Sequence, residues 1–164
     1  MDAKDVTAIC SGIIALLALG VSVWTGIQNR RHNRLSVRPR LRIDRLTYLK
    51  SDVEVTVVNT GTGPAIIRNF SVTIDGIPIV SNDRPVAAAA ARQLEIPGQF
   101  GSYTPDPSVG DSLRPGESLK LLTLLNFPDE IEKRNDVHKK LLKIKFYIVY
   151  ESIYGEVFSY PLQP

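Results

Sequence analysis

The sequence predicts a mainly β protein in which one N-terminal transmembrane helix is followed by an antiparallel β-sandwich of about seven strands, with one short helix or loop insertion. Three features predict this class. An uncharged apolar segment lies near the N-terminus, apolar and polar residues alternate in several later segments, and turns rich in glycine and proline separate those segments.

The apolar segment Val6–Ile27 contains no charged residue and no proline. As a helix it would extend about 33 Å, enough to cross a hydrocarbon core of roughly 30 Å. A cleaved signal peptide is the alternative, but such peptides begin with basic residues and carry an apolar run of about 7–15 residues. Here Asp2 and Asp5 outnumber Lys4, and the apolar run is longer. We therefore expect residues 1–28 to be a retained anchor.

The basic residues around this segment predict its orientation. Only Lys4 precedes it, whereas residues 28–50 contain eight basic residues and one acidic residue. The positive-inside rule keeps such a flank in the cytoplasm, so we expect the N-terminus outside and the C-terminal domain inside, at the cell inner membrane. Four arginines of the expected basic linker, residues 29–39, either set this topology alone or also bind anionic lipid headgroups: Arg30, Arg31, Arg34 and Arg38.

Small residues recur along one face of the expected anchor helix. Spacings of three and four residues place five of them in a single stripe: Ser11, Ala15, Ala18, Ser22 and Gly26. In lipid, such a stripe lets helix backbones approach closely, which predicts packing with a second copy or with another membrane protein. The alternative is that small residues are common in membrane spans and need no partner.

The charge distribution argues against a nucleic-acid partner. The formal net charge is +3, but residues 51–164 contain more acidic than basic residues, so the predicted folded domain is mildly acidic. A nucleic-acid-binding domain would carry a basic patch on its folded part. We expect membrane lipids and proteins as partners, and no nucleic acid.

The residues that follow the linker predict a series of short strands. Residues 41–49 and 52–59 alternate in polarity, and the second of these segments is the clearest strand of the chain. Further strands are predicted at residues 65–68, 70–75 and 77–80, with Asp75 and Gly76 forming a hairpin turn. Pro78 restricts the last of these strands to an edge or an end of a sheet.

Residues 81–116 interrupt this pattern as an insertion. Asp83 is expected to cap a short helix at Val86–Leu94, with Pro85 in its first turn and five consecutive alanines favouring helix. Residues 96–110 are rich in proline, glycine, serine and aspartate and predict a long loop. Such a loop is either a binding or lid element or a disordered excursion.

The remaining residues return to strand. A Pro-Gly turn at residues 113–117 precedes strands at residues 118–127, 142–151 and 156–160, with a hairpin loop at residues 152–155. The charged segment 128–140 is either a helical turn or a solvated connection. Together the strands favour a sandwich with Greek-key-like connections, and a six-stranded barrel is the second choice.

A glycine-rich turn follows the clearest strand. A phosphate-binding loop would end in Lys-Ser or Lys-Thr and open a helix, whereas this turn lacks that ending and precedes a predicted strand. We interpret Asn59, Gly61, Gly63 and Pro64 as a structural turn, in which the glycines allow positive φ and the proline determines the exit direction.

The stretch Glu54–Ile77, with its Asn-Thr-Gly-Thr-Gly-Pro-Ala turn and Asp-Gly hairpin, resembles bacterial immunoglobulin-like domains of the CARDB type. The Pro-Gly-Glu turn within Leu113–Leu119 resembles a later turn of those domains. The resemblance covers residues 41–160 and implies an immunoglobulin-like β-sandwich over residues 40–164. The overall plan is also similar to small single-pass bacterial membrane proteins that carry such a domain after an anchor. The long insertion and the expected cytoplasmic location depart from the CARDB type.

No catalytic, cofactor or metal site is expected from the residue types. His32 and His138 have no histidine, cysteine or carboxylate neighbour at zinc spacing, and Cys10, the only cysteine, lies in the apolar segment. No Gly-x-Ser-x-Gly motif is present. Aromatic residues concentrate near the C-terminus, where Tyr147 and Tyr154 on the outward side form a candidate contact patch.

These features predict a non-enzymatic, membrane-tethered interaction module that presents a cytoplasmic β-sandwich to a protein partner. One alternative is an accessory or sensor subunit of a membrane complex, for example in bacterial defence or transport. A second is a hydrolase acting at the membrane, with its site under the insertion. A third is an extracellular adhesin-like domain, which would require the reverse topology.

Overall fold

The computed structural model describes residues 3–47, 53–96, 99–100, 105–125 and 131–161. Contacts divide the chain after Ser36 into an N-terminal helical unit and a β-domain. The helices are α1 (Ala3–Ser36), α2 (Val86–Gln93) and α3 (Ile131–Lys143). The strands are β1 (Leu41–Thr47), β2 (Val53–Asn59), β3 (Ala65–Ile74), β4 (Ile77–Pro78), β5 (Gln99–Phe100), β6 (Ser112–Leu113), β7 (Ser118–Leu125), β8 (Ile144–Glu151) and β9 (Val157–Tyr160).

Helix α1 contains one segment, Ser11–Ser36, that is long and apolar enough to cross a membrane, and none of its apolar window is buried. The helix continues past the apolar residues and ends at Ser36, shortly before Pro39, because a proline disfavours helical backbone in the residue that precedes it. Most of the expected linker at 29–39 is therefore helical, because nothing before Pro39 interrupts the backbone hydrogen bonds.

The β-domain consists of two antiparallel sheets that share one apolar core. The first sheet has the order β1-β2-β7-β5, and the second has the order β4-β3-β8-β9, with β6 pairing to the start of β3. In β2 the side chains of Val53, Val55 and Val57 are buried, as their alternation predicts. In β8 the buried residues also alternate, with Ile144, Phe146, Ile148 and Tyr150 facing the core.

Strand β3 joins two segments that the sequence analysis separated. Ala65 and Ile67 are buried at its start, whereas Val72 and Ile74 are buried at its end, so the buried positions change from odd to even numbers. The pairing with β8 shifts between Ile67 and Asn69, which is a β-bulge. A bulge inserts one residue and reverses the alternation, so one continuous strand appears as two in the sequence.

The hairpin at Asp75 and Gly76 is confirmed, since both residues have positive φ, of 50° and 87°. The strand that follows it is short and lies at the sheet edge, as Pro78 predicts. The charged segment 128–140, which the sequence left open, is helical from Ile131, and α3 has Val137 and Leu141 buried four positions apart. Because α3 extends to Lys143, the strand predicted at 142–151 begins at Ile144. The predicted strand ends at Leu49 and Phe127 lie outside the described residues.

The insertion contributes to both sheets. Helix α2 forms where expected, and its alanines 87, 88, 90 and 91 are buried and join the core cluster. Strand β5 pairs with β7 in one sheet, and β6 pairs with β3 in the other. The expectation of a single long loop over residues 96–110 is therefore wrong at β5, while residues 97–98 and 101–104 lie outside the described residues.

The cap of α2 differs from the prediction. Pro85 occupies the N-cap position, and Asp83 makes hydrogen bonds with Arg84 and Ser81 instead. The backbone N–H of Val86 donates to Oδ2 of Asp106 at 2.7 Å. A carboxylate twenty residues later in the chain therefore satisfies a free donor of the first turn, which a local sequence pattern cannot reveal.

Candidate functional site

The small residues of α1 lie on one face, as the spacing predicts. Ser11, Ala15, Ala18, Ser22 and Gly26 occupy a sector of about 80° at 100° per residue, and all are exposed. The Ser22 hydroxyl donates to the carbonyl of Ala18 at 2.8 Å. A Cβ at Gly26 would meet no atom within 4 Å. The face therefore has room for close approach by another helix.

Thr25 adds to this face a residue that the sequence analysis omitted. Its hydroxyl donates to the carbonyl of Val21 at 2.8 Å, the same arrangement as Ser22. Both hydroxyls are satisfied inside the helix, so neither leaves an unpaired donor in hydrocarbon. The signal was available, because Thr25 lies seven residues after Ala18 and so shares its face.

The four arginines assigned to topology or headgroups fall into two groups. Arg30, Arg31 and Arg34 are exposed on the last turns of α1. Arg38 belongs to the β-domain, where its guanidinium carbon lies 4.8 Å from the ring centroid of Phe158. That ring in turn stacks on Tyr150 at 5.6 Å. Arg38 therefore makes a cation–π contact that attaches the first residues of the domain to its last strand.

Asn59 is the centre of the glycine-rich turn. Its side chain is fully buried, and its Nδ2 donates to the carbonyls of Gly63 at 2.8 Å and Leu113 at 2.9 Å. Its Oδ1 accepts from the backbone N–H groups of Arg40 at 3.2 Å and Gly61 at 3.0 Å. One amide thus connects the start of β1, the turn and β6, with its donors and its acceptor all in use.

The two glycines of this turn are needed for space and not for positive φ, which corrects the sequence interpretation. The described glycines with positive φ lie elsewhere. A Cβ at Gly61 would lie 2.4 Å from the carbonyl oxygen of Arg38, and one at Gly63 would lie 1.8 Å from that of Val37. Residues 37–40 run directly over the turn, where the Thr60 N–H donates to the Arg40 carbonyl at 2.8 Å.

The register places several loops at one end of the β-domain. Leu41 pairs with Asn59, Ile66 pairs with Glu151, and Glu151 pairs with Val157. The start of the domain, the glycine-rich turn and the β8–β9 loop therefore share an end. We call this the Val37 end; it comprises residues 37–40, 59–65, 110–118 and 151–157.

The β8–β9 loop at the Val37 end exposes three apolar side chains. Ile153, Tyr154 and Val157 are 53%, 47% and 65% exposed. Buried Ser152 holds the loop, since its Oγ accepts from the N–H groups of Tyr154 at 3.2 Å and Glu156 at 3.3 Å. Sequence reasoning identified Tyr154 only; the missed signal was an apolar pair, Ile153 and Val157, on both sides of the Gly155 turn.

The two tyrosines of the candidate patch do not lie side by side. Tyr147 is exposed on the outward face of β8, and about 14 Å of strand separates it from Glu151 at the start of the loop. Tyr154 lies beyond that point, in the loop itself. The two residues therefore belong to separate surfaces, one on the sheet face and one at the Val37 end.

An open depression of about 490 Å³ lies in the first part of the insertion, lined by residues that include Ser81, Asp83, Arg84 and Ala89. Hydrogen bonds from Arg84 and then Ser81 lower the pKa of Asp83 to about 2. The hydrolase alternative calls for a buried His138 or a pair of carboxylates in a pocket, and His138 is exposed on α3. Within the described ranges no group of three histidine, cysteine or acidic residues could hold a metal ion.

Among the described residues, Asp106 is the other acidic group with a shifted pKa. Partial burial raises the pKa of Asp106, and the hydrogen bond from the Val86 N–H opposes that shift. Its role is accounted for by the capping of α2.

Comparison with known proteins identifies no relative of this chain. No protein-family profile, no curated protein and no solved structure matches the chain.

Proposed function

We propose that this protein is a membrane-tethered interaction module, in which α1 anchors the chain and the β-domain is presented to a protein partner on the cytoplasmic side. The module is non-enzymatic. Its partners are protein and lipid and do not include nucleic acid.

The main observation that supports the proposal is the exposed apolar surface of α1. Large apolar side chains cover the helix outside the small stripe, among them Ile13, Leu16, Leu17, Val23 and Ile27, and all are more than half exposed. Soluble proteins rarely leave so large a continuous apolar surface in water. A bilayer supplies the missing apolar surroundings for a helix of this length.

The strand order supports the finer assignment of an immunoglobulin-like sandwich. In such a sandwich the first, second, fifth and fourth strands form one sheet, and the third, sixth and seventh form the other. The sheet β1-β2-β7-β5 and the run β3-β8-β9 follow that order, with β4 as an added edge strand. Sandwiches of this kind host many unrelated roles, so the function is argued from the anchor and not from the fold.

The arginines on the last turns of α1 support the cytoplasmic placement. Arg30, Arg31 and Arg34 follow the apolar segment directly and are exposed. The positive-inside rule retains such a flank in the cytoplasm, and the inner membrane of a bacterial cell is the compartment that fits this arrangement.

The proposal is tested by purifying the full chain from membranes in a mild detergent through a C-terminal tag. We expect the protein to require detergent for extraction and to bring down a specific protein. A matched control carries α1 followed by an unrelated soluble domain, so that partners of the helix and of the β-domain are separated. Repeated recovery of the full chain alone as a monomer would contradict the proposal.

The second candidate is an accessory or sensor subunit that assembles through α1. The exposed stripe of small residues along one face of α1, which includes Gly26, favours it. Gly26→Leu is expected to reduce cross-linking to a second copy or to another membrane protein about tenfold, because it fills the close-approach face. Gly20→Leu is the matched control, since Gly20 lies on the opposite side of the helix and also has open space around it. Equal effects of the two substitutions would exclude the stripe as the contact.

A further inference from the structure

The β8–β9 loop presents an ordered apolar tip. Ile153, Tyr154 and Val157 are exposed, while buried Ser152 accepts two backbone hydrogen bonds and its N–H donates to the Glu156 carbonyl at 2.9 Å. The loop is therefore held in one shape by internal hydrogen bonds. Two branched aliphatic side chains and one tyrosine are the residue types that suit a water–lipid interface.

The tip lies at the end of the β-domain where the chain arrives from α1. Val37 passes over Gly63 so closely that no Cβ fits there, and Ile66 of the adjacent strand pairs with Glu151, where the loop begins. The helix from Ile27 to Ser36 rises about 13 Å. The chain therefore enters the Val37 end at most about 13 Å beyond Ile27, the last residue of the apolar segment.

The Val37 end carries charged residues of both signs. Arg38, Arg40 and Arg114 are exposed there. Glu151 forms an ion pair with Arg68 at 2.6 Å, which raises the pKa of Arg68, and Glu156 directs its Oε2 inward, where that atom is buried.

The two remaining carboxylates at this end also accept backbone hydrogen bonds. Glu117 accepts from the Arg114 N–H at 2.7 Å, and Asp111 accepts from the Ser108 N–H at 2.8 Å. The three exposed arginines can approach anionic headgroups. Asp111 and Glu117 are exposed at the same end, so the apolar tip and not a net positive charge supplies the membrane contact.

We propose that the β8–β9 tip rests on the bilayer, with Ile153, Tyr154 and Val157 in the interfacial layer. This second contact holds the β-domain at the membrane surface. The inference rests on the anchoring part of the proposed function. Because α1 already tethers the domain, the tip acts at a high effective concentration, and three apolar side chains suffice for a contact that a free domain would not make.

The test uses the full chain in liposomes of phosphatidylcholine and phosphatidylglycerol, with no other protein. In a Cys10→Ser background, Tyr154→Cys carries an environment-sensitive fluorophore, and nitroxide lipids quench it. Ile77→Cys is the matched control: Ile77 is also apolar and 67% exposed, but it follows the far end of β3, about 30 Å away. We expect quenching at position 154 to exceed that at position 77 at least threefold.

A second arm keeps the fluorophore at position 154 and adds Ile153→Ser and Val157→Ser, which change exposed side chains only. We expect quenching to fall at least twofold. Quenching of the native Trp24 by the same lipids reports on anchoring separately. If Trp24 is quenched while the fluorophores at positions 154 and 77 are quenched equally, the tip contact is refuted but the anchor is not. A tip that binds a protein instead of lipid would also give equal quenching at the two positions in pure lipid. If Trp24 itself is not quenched, the anchoring part of the proposed function is refuted.

Discussion

At the scale of single residues, the Val37 end depends on one amide and two glycines. Asn59 makes four side-chain hydrogen bonds in a fully buried position. Gly61 and Gly63 leave room for residues 37–40 to cross the turn. The first residues after α1 are therefore part of the β-domain core structure and not a free tether, because the turn and the crossing segment hold one another.

Asn59→Ala should destabilise the β-domain by about 2–4 kcal/mol, since it leaves two buried carbonyls and two N–H groups without their partner. Chemical denaturation of the detergent-solubilised full chain measures the free energy of unfolding. Thr60→Ala is the neighbouring control, because the Thr60 hydroxyl is exposed although it too bonds to Arg40. A loss at position 59 no larger than that at position 60 would contradict the role given to Asn59.

Gly63→Ala should destabilise more than Gly76→Ala, although neither adds more than a methyl group. At Gly63 the new Cβ would lie 1.8 Å from the Val37 carbonyl oxygen, so the backbone must move. At Gly76 the Cβ has open space, and only the positive φ of 87° is unfavourable, by about 1–2 kcal/mol. Thermal unfolding of the two variants compares them. The reverse order would mean that φ, and not space, governs the glycine-rich turn.

At the scale of elements, α2 connects the insertion to the core. Its buried alanines allow the helix to lie close to β3, β7 and β8, which belong to both sheets. At its N-terminus, the Val86 N–H donates a hydrogen bond to the carboxylate of Asp106, near the other end of the insertion. The insertion is thereby attached at both of its ends, by packing of α2 and by the pairing of β6 with β3.

Asp106→Asn should keep the cap and remove a partly buried charge. Burial raises the pKa of Asp106 above its ordinary 3.8, so the folded state binds more protons than the unfolded state just above that pH. The stability of the native protein therefore falls as pH rises through that window. The asparagine variant lacks this fall, so its stability relative to the native protein should grow as pH rises through the same window.

Denaturation of both proteins at several pH values measures the difference. Asp83→Asn is the control with the opposite sign, because the pKa of Asp83 is lowered to about 2 by Arg84 and Ser81. The stability that the Asp83 carboxylate contributes is fully present above its ordinary pKa and is lost as pH falls toward about 2. A pH-independent difference for Asp106→Asn would contradict the assignment of burial as the cause of the raised pKa.

At the scale of the whole molecule, the chain combines an exposed apolar helix with a β-domain whose loops meet at the Val37 end. Arg30, Arg31 and Arg34 lie on α1, and Arg38 is held on Phe158 inside the β-domain. The basic run of the sequence therefore serves two purposes. Three of its members are available to determine topology, and the fourth stabilises the domain.

Changing Arg30, Arg31 and Arg34 to Gln, together with two lysines added after Met1, should invert the orientation of part of the population. The expected increase in externally exposed C-terminus is about fivefold or more, because the positive charge then favours the other flank. A C-terminal reporter that is active only outside the cytoplasm measures it. As a control, the two lysines are added and Lys139, Lys143 and Lys145 are changed to Gln, which removes equal charge from residues distant from the span in sequence. An equal effect of this control would contradict the argument.

The amino-acid pattern by itself determined the long apolar helix and most strands, because hydrophobic periodicity and turn residues act over a few neighbouring positions. Only the tertiary structure decided that the bulge at Arg68 joins two predicted strands, that Asp106 caps α2, and that Gly61 and Gly63 serve close approach. Only the tertiary structure shows that Ile153 and Val157 lie at the Val37 end. Each of these depends on residues distant in sequence meeting in space, which local patterns do not encode.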